Sequence, residues 1–465
     1  MSKLFRLAFA IALTSAVTQV AEAQGIRRLD GSVISTASAD SIARQVLAAE
    51  HVTGAQLAVV DQGKLVWSAA YGIRREPDLP MTTETTTWAA SITKSVFATY
   101  VMQLVERGEF DLDIPVARQL ARRLDQYEPY KEAATELVRD SAWARVTPRM
   151  LLAHASGLLN FASLEPDKKM HLHFAPGSAF RYSGEGINLV QFVIEQKKGM
   201  ALDTLMDRAI ITPLGMTHTS LIYHADLDPN VADRFSANGK FISKTRRFPA
   251  RGAGSMATSA EDLARFVSAL FSNRIINPAS RAEMLRPYRM LTTLHQFPLV
   301  ANEGDGTEGK AVGLGYGVGW GLLTKTPFGP AFFKEGHGDG AQNYMICFGE
   351  RQACMILLTN SDNGERTFRT LLESILGDTV TPWEWEGYTP SYLGSRPAPK
   401  APSIIRRPSP ARSRAQLRWR DPPRCPTHSR PFSTSTLPTE TSRTGPLPGA
   451  PAAAAQRRRD IHYHC

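Results

Sequence analysis

A chain of 465 residues, 43% of them apolar, has material for a sizeable core, arranged as one large two-lobed unit or as two to three average domains. Its formal charge is +10, but Arg396 to Cys465 hold 14 Lys+Arg against three acids, so the other 395 residues sum to −1. A nucleic-acid surface needs its basic excess on the folded body; this body carries none, which excludes nucleic acid as a partner.

The N-terminus has the layout of an export signal. Lys3 and Arg6 form a basic start, Leu7 to Val20 is mostly apolar, and Ala21-Glu22-Ala23 fits a cleavage site before Gln24. Residues 1–23 are therefore read as a signal peptide, and the mature protein as exported, periplasmic or secreted. Polar Thr14, Ser15, Thr18 and Gln19 interrupt the apolar stretch, so no stable membrane insertion is expected.

Ser38 to His51 reads as an amphipathic helix with Ile42, Val46 and Leu47 on one side. Ala55–Val60 and Leu65–Tyr71 follow as strands joined by the turn Asp61-Gln-Gly-Lys64. Helical segments and loops dominate from about Thr85 to Pro278. Strand signals return at Gly315–Gly321, Ala331–Lys334, Asn343–Phe348 and Ala353–Thr359, and Glu365–Leu376 reads as a closing helix. Strands at both ends of a helical middle predict an α+β fold: an antiparallel sheet (about 37–80 and 312–390) flanked by terminal helices, with a mostly helical lobe (about 81–311) inserted. The domain spans 24–394.

From 395 to 465 the composition changes abruptly, with 13 of the 30 prolines and no sustained periodicity. This tail is expected to be disordered. It is read as a reading-frame artefact appended to a complete domain in preference to a basic arm for anionic surfaces. Cys347 and Cys354 flank a predicted hairpin turn and are expected to be ordinary buried thiols rather than a bridge.

Ser91-Ile-Thr-Lys94 is the only Ser-x-x-Lys in the chain. At i and i+3 on a helix, the amine lies beside the hydroxyl, and a serine becomes a useful nucleophile only when a neighbouring group takes its proton. Three further segments accompany it: Thr147 to Leu158 with His154-Ala-Ser156-Gly157, Phe174 to Gly184 with Tyr182-Ser183-Gly184, and Gly336-His337-Gly338-Asp339-Gly340.

Together these segments resemble the serine β-lactamase and penicillin-binding-protein superfamily, in its class C-like branch with family VIII esterases and D-aminopeptidases. The resemblance implies Ser91 as nucleophile, Lys94 as the lysine that eases its deprotonation, and Tyr182 as the second base, with nearby cations favouring its phenolate. It implies His337, Gly338, Asp339 and Gly340 as the substrate and oxyanion box, with the N–H groups of Ser91 and Gly340 as oxyanion donors. Gly184 stands where many relatives carry an asparagine amide, for which Asn188 is a possible substitute. His154 is expected to be structural. His171-Leu-His173 lacks a third ligand and is read as a solvated loop, and the glycine-rich 315–321 run as a strand. No metal or cofactor is implied.

The expected activity is hydrolysis of a small ester, amide or peptide through an acyl-enzyme. Loss of the Lys-Thr-Gly box and of the asparagine argues against efficient β-lactam turnover. The alternatives are a true β-lactamase or DD-peptidase, and a silent penicillin-binding-type sensor; retention of Ser91, Lys94 and Tyr182 together argues against the last.

Overall fold

The computed structural model describes residues 25–297 and 306–388. The proposed signal peptide and tail lie outside the described residues, which all fall within one unit, Met1–Pro399. Among them, no helix is long and apolar enough to cross a membrane.

The sheet begins with β1 (Gly54–Asp61) and β2 (Lys64–Arg75), joined by a two-residue turn. Gln62 and Gly63 both have positive φ, the geometry that matches the twist of a tight hairpin. β3 (Leu79–Pro80) lies at one edge and β4 (Arg289–Met290) at the other. Between them come β5 (Leu314–Tyr316), β6 (Gly321–Leu323), β7 (Ala331–Gly338), β8 (Ala341–Phe348) and β9 (Ala353–Thr359). Among the described residues these make a nine-stranded antiparallel sheet in the order β4-β5-β6-β7-β8-β9-β1-β2-β3. The N-terminal hairpin thus pairs with the last strand, as a discontinuous sheet requires.

Each central strand is largely buried on both faces because each face is covered. Helix α1 (Thr36–Ala49), capped by the Ser35 hydroxyl, packs with the C-terminal helix Glu365–Leu371 over one core containing Leu57, Val59, Tyr344 and Ile346. The other face meets α2 (Thr93–Glu106) and the helical segments, whose core includes Phe97, Val101, Phe266 and Trp320. This is the predicted α+β architecture.

Three expectations need correction. The glycine-rich 315–321 run is a hairpin between β5 and β6, not one strand: Tyr316 pairs with Gly321, and Gly319 takes a positive φ in the turn, where an added Cβ would lie 2.3 Å from Ala98 Cβ. Arg289–Met290, placed in the helical lobe by sequence, joins the sheet edge. Cys347 and Cys354 are disulfide-bonded, because they face each other directly across β8 and β9.

Candidate active site

Ser91 sits on a single 3-10 turn, Ala90–Ile92, that leads into α2. Ala90 has φ +46°, a left-handed conformation that is strained for a residue with a Cβ. Ser91 is half-buried, whereas Lys94, one turn on, is 2% exposed. Lys94 Nζ lies 2.8 Å from Ser91 Oγ and donates to the Ala253 carbonyl at 2.6 Å. Burial, reinforced by the Lys334 ammonium, holds the Lys94 amine well below the ordinary lysine range.

Tyr182 is buried on the loop before the helix Gly184–Lys198, which Ser183 caps through its hydroxyl. Lys334 Nζ donates to the Tyr182 phenol oxygen at 3.1 Å. Lys94 Nζ and Lys334 Nζ each stand 4.9 Å from the Tyr182 ring centroid. They do not produce a phenolate. Burial first, and then the Glu335 charge, push the phenol well above its ordinary value. The expectation that nearby cations favour the charged form fails because burial, with the Glu335 carboxylate adding to it, outweighs them.

Lys334 and Glu335 were missed by the sequence reading. They form a fully buried ion pair in the middle of β7. Burial opposes the Glu335 charge, but the adjoining ammonium holds its carboxyl below the usual range. A signal was present: Lys334-Glu335-Gly336 has Lys-x-Gly spacing, three residues ahead of the histidine chosen instead.

Gly336 explains why the spacing matters. A Cβ there would lie 2.2 Å from the Ala89 carbonyl oxygen and 3.2 Å from Ser91 N, so only glycine lets β7 pass the nucleophile turn. β6 pairs with β7 only through Phe333, which leaves the following β7 edge without that partner.

The structure redirects the predicted box. His337 meets the Gln342 amide oxygen at 2.5 Å through Nδ1 and the Tyr388 hydroxyl through Nε2, and burial lowers its proton affinity. It reaches Tyr182 only through Phe297, whose ring centroid is 4.8 Å from that of Tyr182 and 6.2 Å from that of His337. Gly338 has the Trp88 ring where a side chain would stand, with Cβ contacts of 2.1 Å. Asp339 is exposed, its carbonyl held by Arg234 at 2.8 Å. The Gly340 N–H donates to Asp362 Oδ1 at 2.5 Å, so it is not free to serve as an oxyanion donor.

The supporting residues divide. Asn188 does not touch Lys94; its amide oxygen accepts from Ala253 N–H at 3.3 Å, fixing the peptide whose carbonyl holds the Lys94 amine. His154 accepts from Ser183 N–H at 3.2 Å, and its ring packs 4.3 Å from that of Tyr182. Gly184 is glycine because the Phe161 ring fills the space, 2.8 Å from an added Cβ. His171 and His173 pair separately with Asp167 and Glu165, at 2.9 and 2.6 Å.

The family model described as Beta-lactamase matches residues 39–377. Esterase EstB of Burkholderia gladioli is 27% identical over 331 residues, covering 60% of this chain and 78% of that protein. Penicillin-binding protein 4 of Amycolatopsis lactamdurans is 24% identical, with 70% and 86% covered. Of solved structures, the D-amino acid amidase of Ochrobactrum anthropi superposes with a TM-score of 0.56 at 23% identity, covering 73% of this chain and 98% of the amidase. The octameric penicillin-binding protein homologue from Pyrococcus abyssi gives 0.59 at 21%, covering 76% and 79%. The structural likenesses carry the fold, and the family match extends over well more than half the chain: this protein belongs to the beta-lactamase family.

Proposed function

We propose that this protein is an exported serine hydrolase that cleaves small esters or amides through an acyl-enzyme on Ser91. The observation that carries the reading is the 2.8 Å approach of Lys94 Nζ to Ser91 Oγ, in a setting that disfavours the charged amine. A neutral lysine is the base that a serine hydroxyl needs. Tyr182, held as a phenol, then acts as proton relay rather than as phenolate.

In acylation the Ser91 proton passes to Lys94 as Oγ bonds to the substrate carbonyl carbon, and the carbonyl π pair moves onto its oxygen. The Ser91 N–H, with a main-chain N–H on the uncovered β7 edge beside Gly336, supplies the donors for that oxyanion. Collapse breaks the bond to the leaving group, which receives the proton from Lys94 by way of the Tyr182 hydroxyl. Water, deprotonated in the same way, releases the acid and restores Ser91.

The Phe297 ring, 4.8 Å from that of Tyr182, suits an apolar ester or amide substituent. The space that an asparagine amide would need at Gly184 is filled by the Phe161 ring, which favours ester and amide cleavage over β-lactam turnover. A fluorophosphonate is expected to label Ser91, and Ser91→Ala to abolish p-nitrophenyl ester hydrolysis. Undiminished turnover in that variant would remove the mechanism; nitrocefin turnover matching that of the esters would reverse the substrate preference.

A further inference from the structure

Arg247 is a half-buried cation whose guanidinium rests on an aromatic ring instead of a hydrogen-bonding acceptor. Its guanidinium lies 3.4 Å from the centroid of the Trp88 ring. Among the described residues it makes no hydrogen bond or ion pair through that group. Arg234 approaches the same ring at 5.0 Å, but its two terminal nitrogens are committed to the Asp339 carbonyl and the Ser243 hydroxyl, which leaves only its buried Nε without a partner. Burial first, and then Arg234, lower Arg247 to about 10 against the opposing pull of the Asp339 carboxylate, which leaves it charged at neutral pH.

The location makes this relevant to catalysis. The Trp88 indole is anchored by donating to the Gly254 carbonyl at 2.7 Å, and its ring lies over Gly338. Gly338 is two residues along β7 from Gly336, which abuts Ser91 N. Two strand residues span about 7 Å, so the stacked guanidinium stands a short substrate's length from the nucleophile.

The site's other cations are already neutralised. Lys334 is cancelled by Glu335 in a buried pair, and Lys94 adjoins Ser91 as the base. An anionic substrate group therefore finds at Arg247 a directional donor that no hydrogen bond or ion pair among the described residues engages, with only the exposed Asp339 carboxylate acting on it from a distance, and its planar fork suits a carboxylate.

We propose that Arg247, braced on Trp88, is a specificity-determining residue that receives a carboxylate carried by the substrate several bonds from its scissile carbonyl. The inference rests on the preceding reading only in taking Ser91 as the centre of the site.

The test uses binding as well as turnover. Calorimetry on the full-length Ser91→Ala protein compares the monoanilide of adipic acid and 4-(butanoylamino)benzoic acid with neutral hexananilide. At least one acid is expected to bind about tenfold or more tightly than the neutral compound. Adding Arg247→Met should bring that ratio close to one, and Arg247→Lys should retain part of it. Arg246→Met, which removes an adjacent cation, should leave the ratio in place. Equal binding of acids and neutral compound, or a preference that survives Arg247→Met, overturns the proposal. Turnover of p-nitrophenyl hexanoate by the unsubstituted protein separates the two readings. Binding preference without turnover sinks the hydrolase reading alone, and turnover without preference sinks the carboxylate subsite alone.

Discussion

Replacing Gly336 with alanine tests whether β7 and the nucleophile turn are held in one register. The new Cβ would stand 2.2 Å from the Ala89 carbonyl oxygen, and real Cβ atoms do not approach closer than 3.0 Å. The two backbones must separate by at least the difference, 0.8 Å. The atoms that move belong to the turn carrying Ser91 and to the strand edge proposed to bind the oxyanion. Misplacing reacting groups by about 1 Å costs on the order of 100-fold in rate, and forcing a methyl into a packed contact costs roughly 1–3 kcal/mol. Gly336→Ala is therefore expected to lower kcat for p-nitrophenyl esters about 100-fold while unfolding in urea remains cooperative. Gly254→Ala is the control: its Cβ would meet the Ala90 backbone at 3.7 Å, an ordinary contact, and kcat should stay within about threefold. If Gly336→Ala keeps more than a third of the original kcat without loss of stability, β7 does not position the nucleophile as described.

Three further outcomes follow from the same geometry. With Lys94 as a neutral base, kcat/KM should rise with pH as the amine loses its proton and reach a plateau; because burial depresses that group, the rise should lie well below the unperturbed lysine value of about 10.4. A rise centred near 10 would point instead to an unperturbed lysine or to the Tyr182 phenolate. Glu335→Gln leaves Lys334 buried without its counter-charge and should cost roughly 3–5 kcal/mol in urea unfolding; combining it with Lys334→Met should recover much of that, whereas simple additivity would show that the pair is not coupled. Gly184→Asn should destabilise by roughly 1–3 kcal/mol because the Phe161 ring occupies the space, and Phe161→Ala should relieve the loss. A thermal melt in which the single variant matches the parent protein would refute that explanation.

Much of the fold was legible because its signals are local. Apolar runs bounded by turns gave the position of Ala353–Thr359 without error, and a helix predicted over Ser38–His51 is found at Thr36–Ala49. The glycine-rich 315–321 run misled because alternation alone does not reveal where a strand reverses; that depends on the positive φ at Gly319 and on the close approach of Ala98. Cys347 and Cys354 were judged from ordinary thiol behaviour, and only strand register puts them face to face.

The site divides along the same line. Ser91 and Lys94 share one helical turn, so their sequence spacing already fixes their contact. Tyr182 and the β7 segment were found through their motifs, but their electrostatics belong to the assembled molecule. Desolvation that disfavours the charged forms of Lys94 and Tyr182 requires the helical segments and the sheet to close over them. The Lys334–Glu335 pair lies more than 150 residues from Tyr182, and its effect on the phenol depends on distance in space rather than along the chain. Phe161 against Gly184, Trp88 against Gly338 and Arg247 against Trp88 are likewise contacts between separate segments. The sequence by itself determined which residues carry the chemistry where that chemistry is built within a single helical turn. Tertiary structure decided their protonation, which third-box residues face the nucleophile, and what stands at the mouth of the site, because burial and packing arise only when distant segments meet.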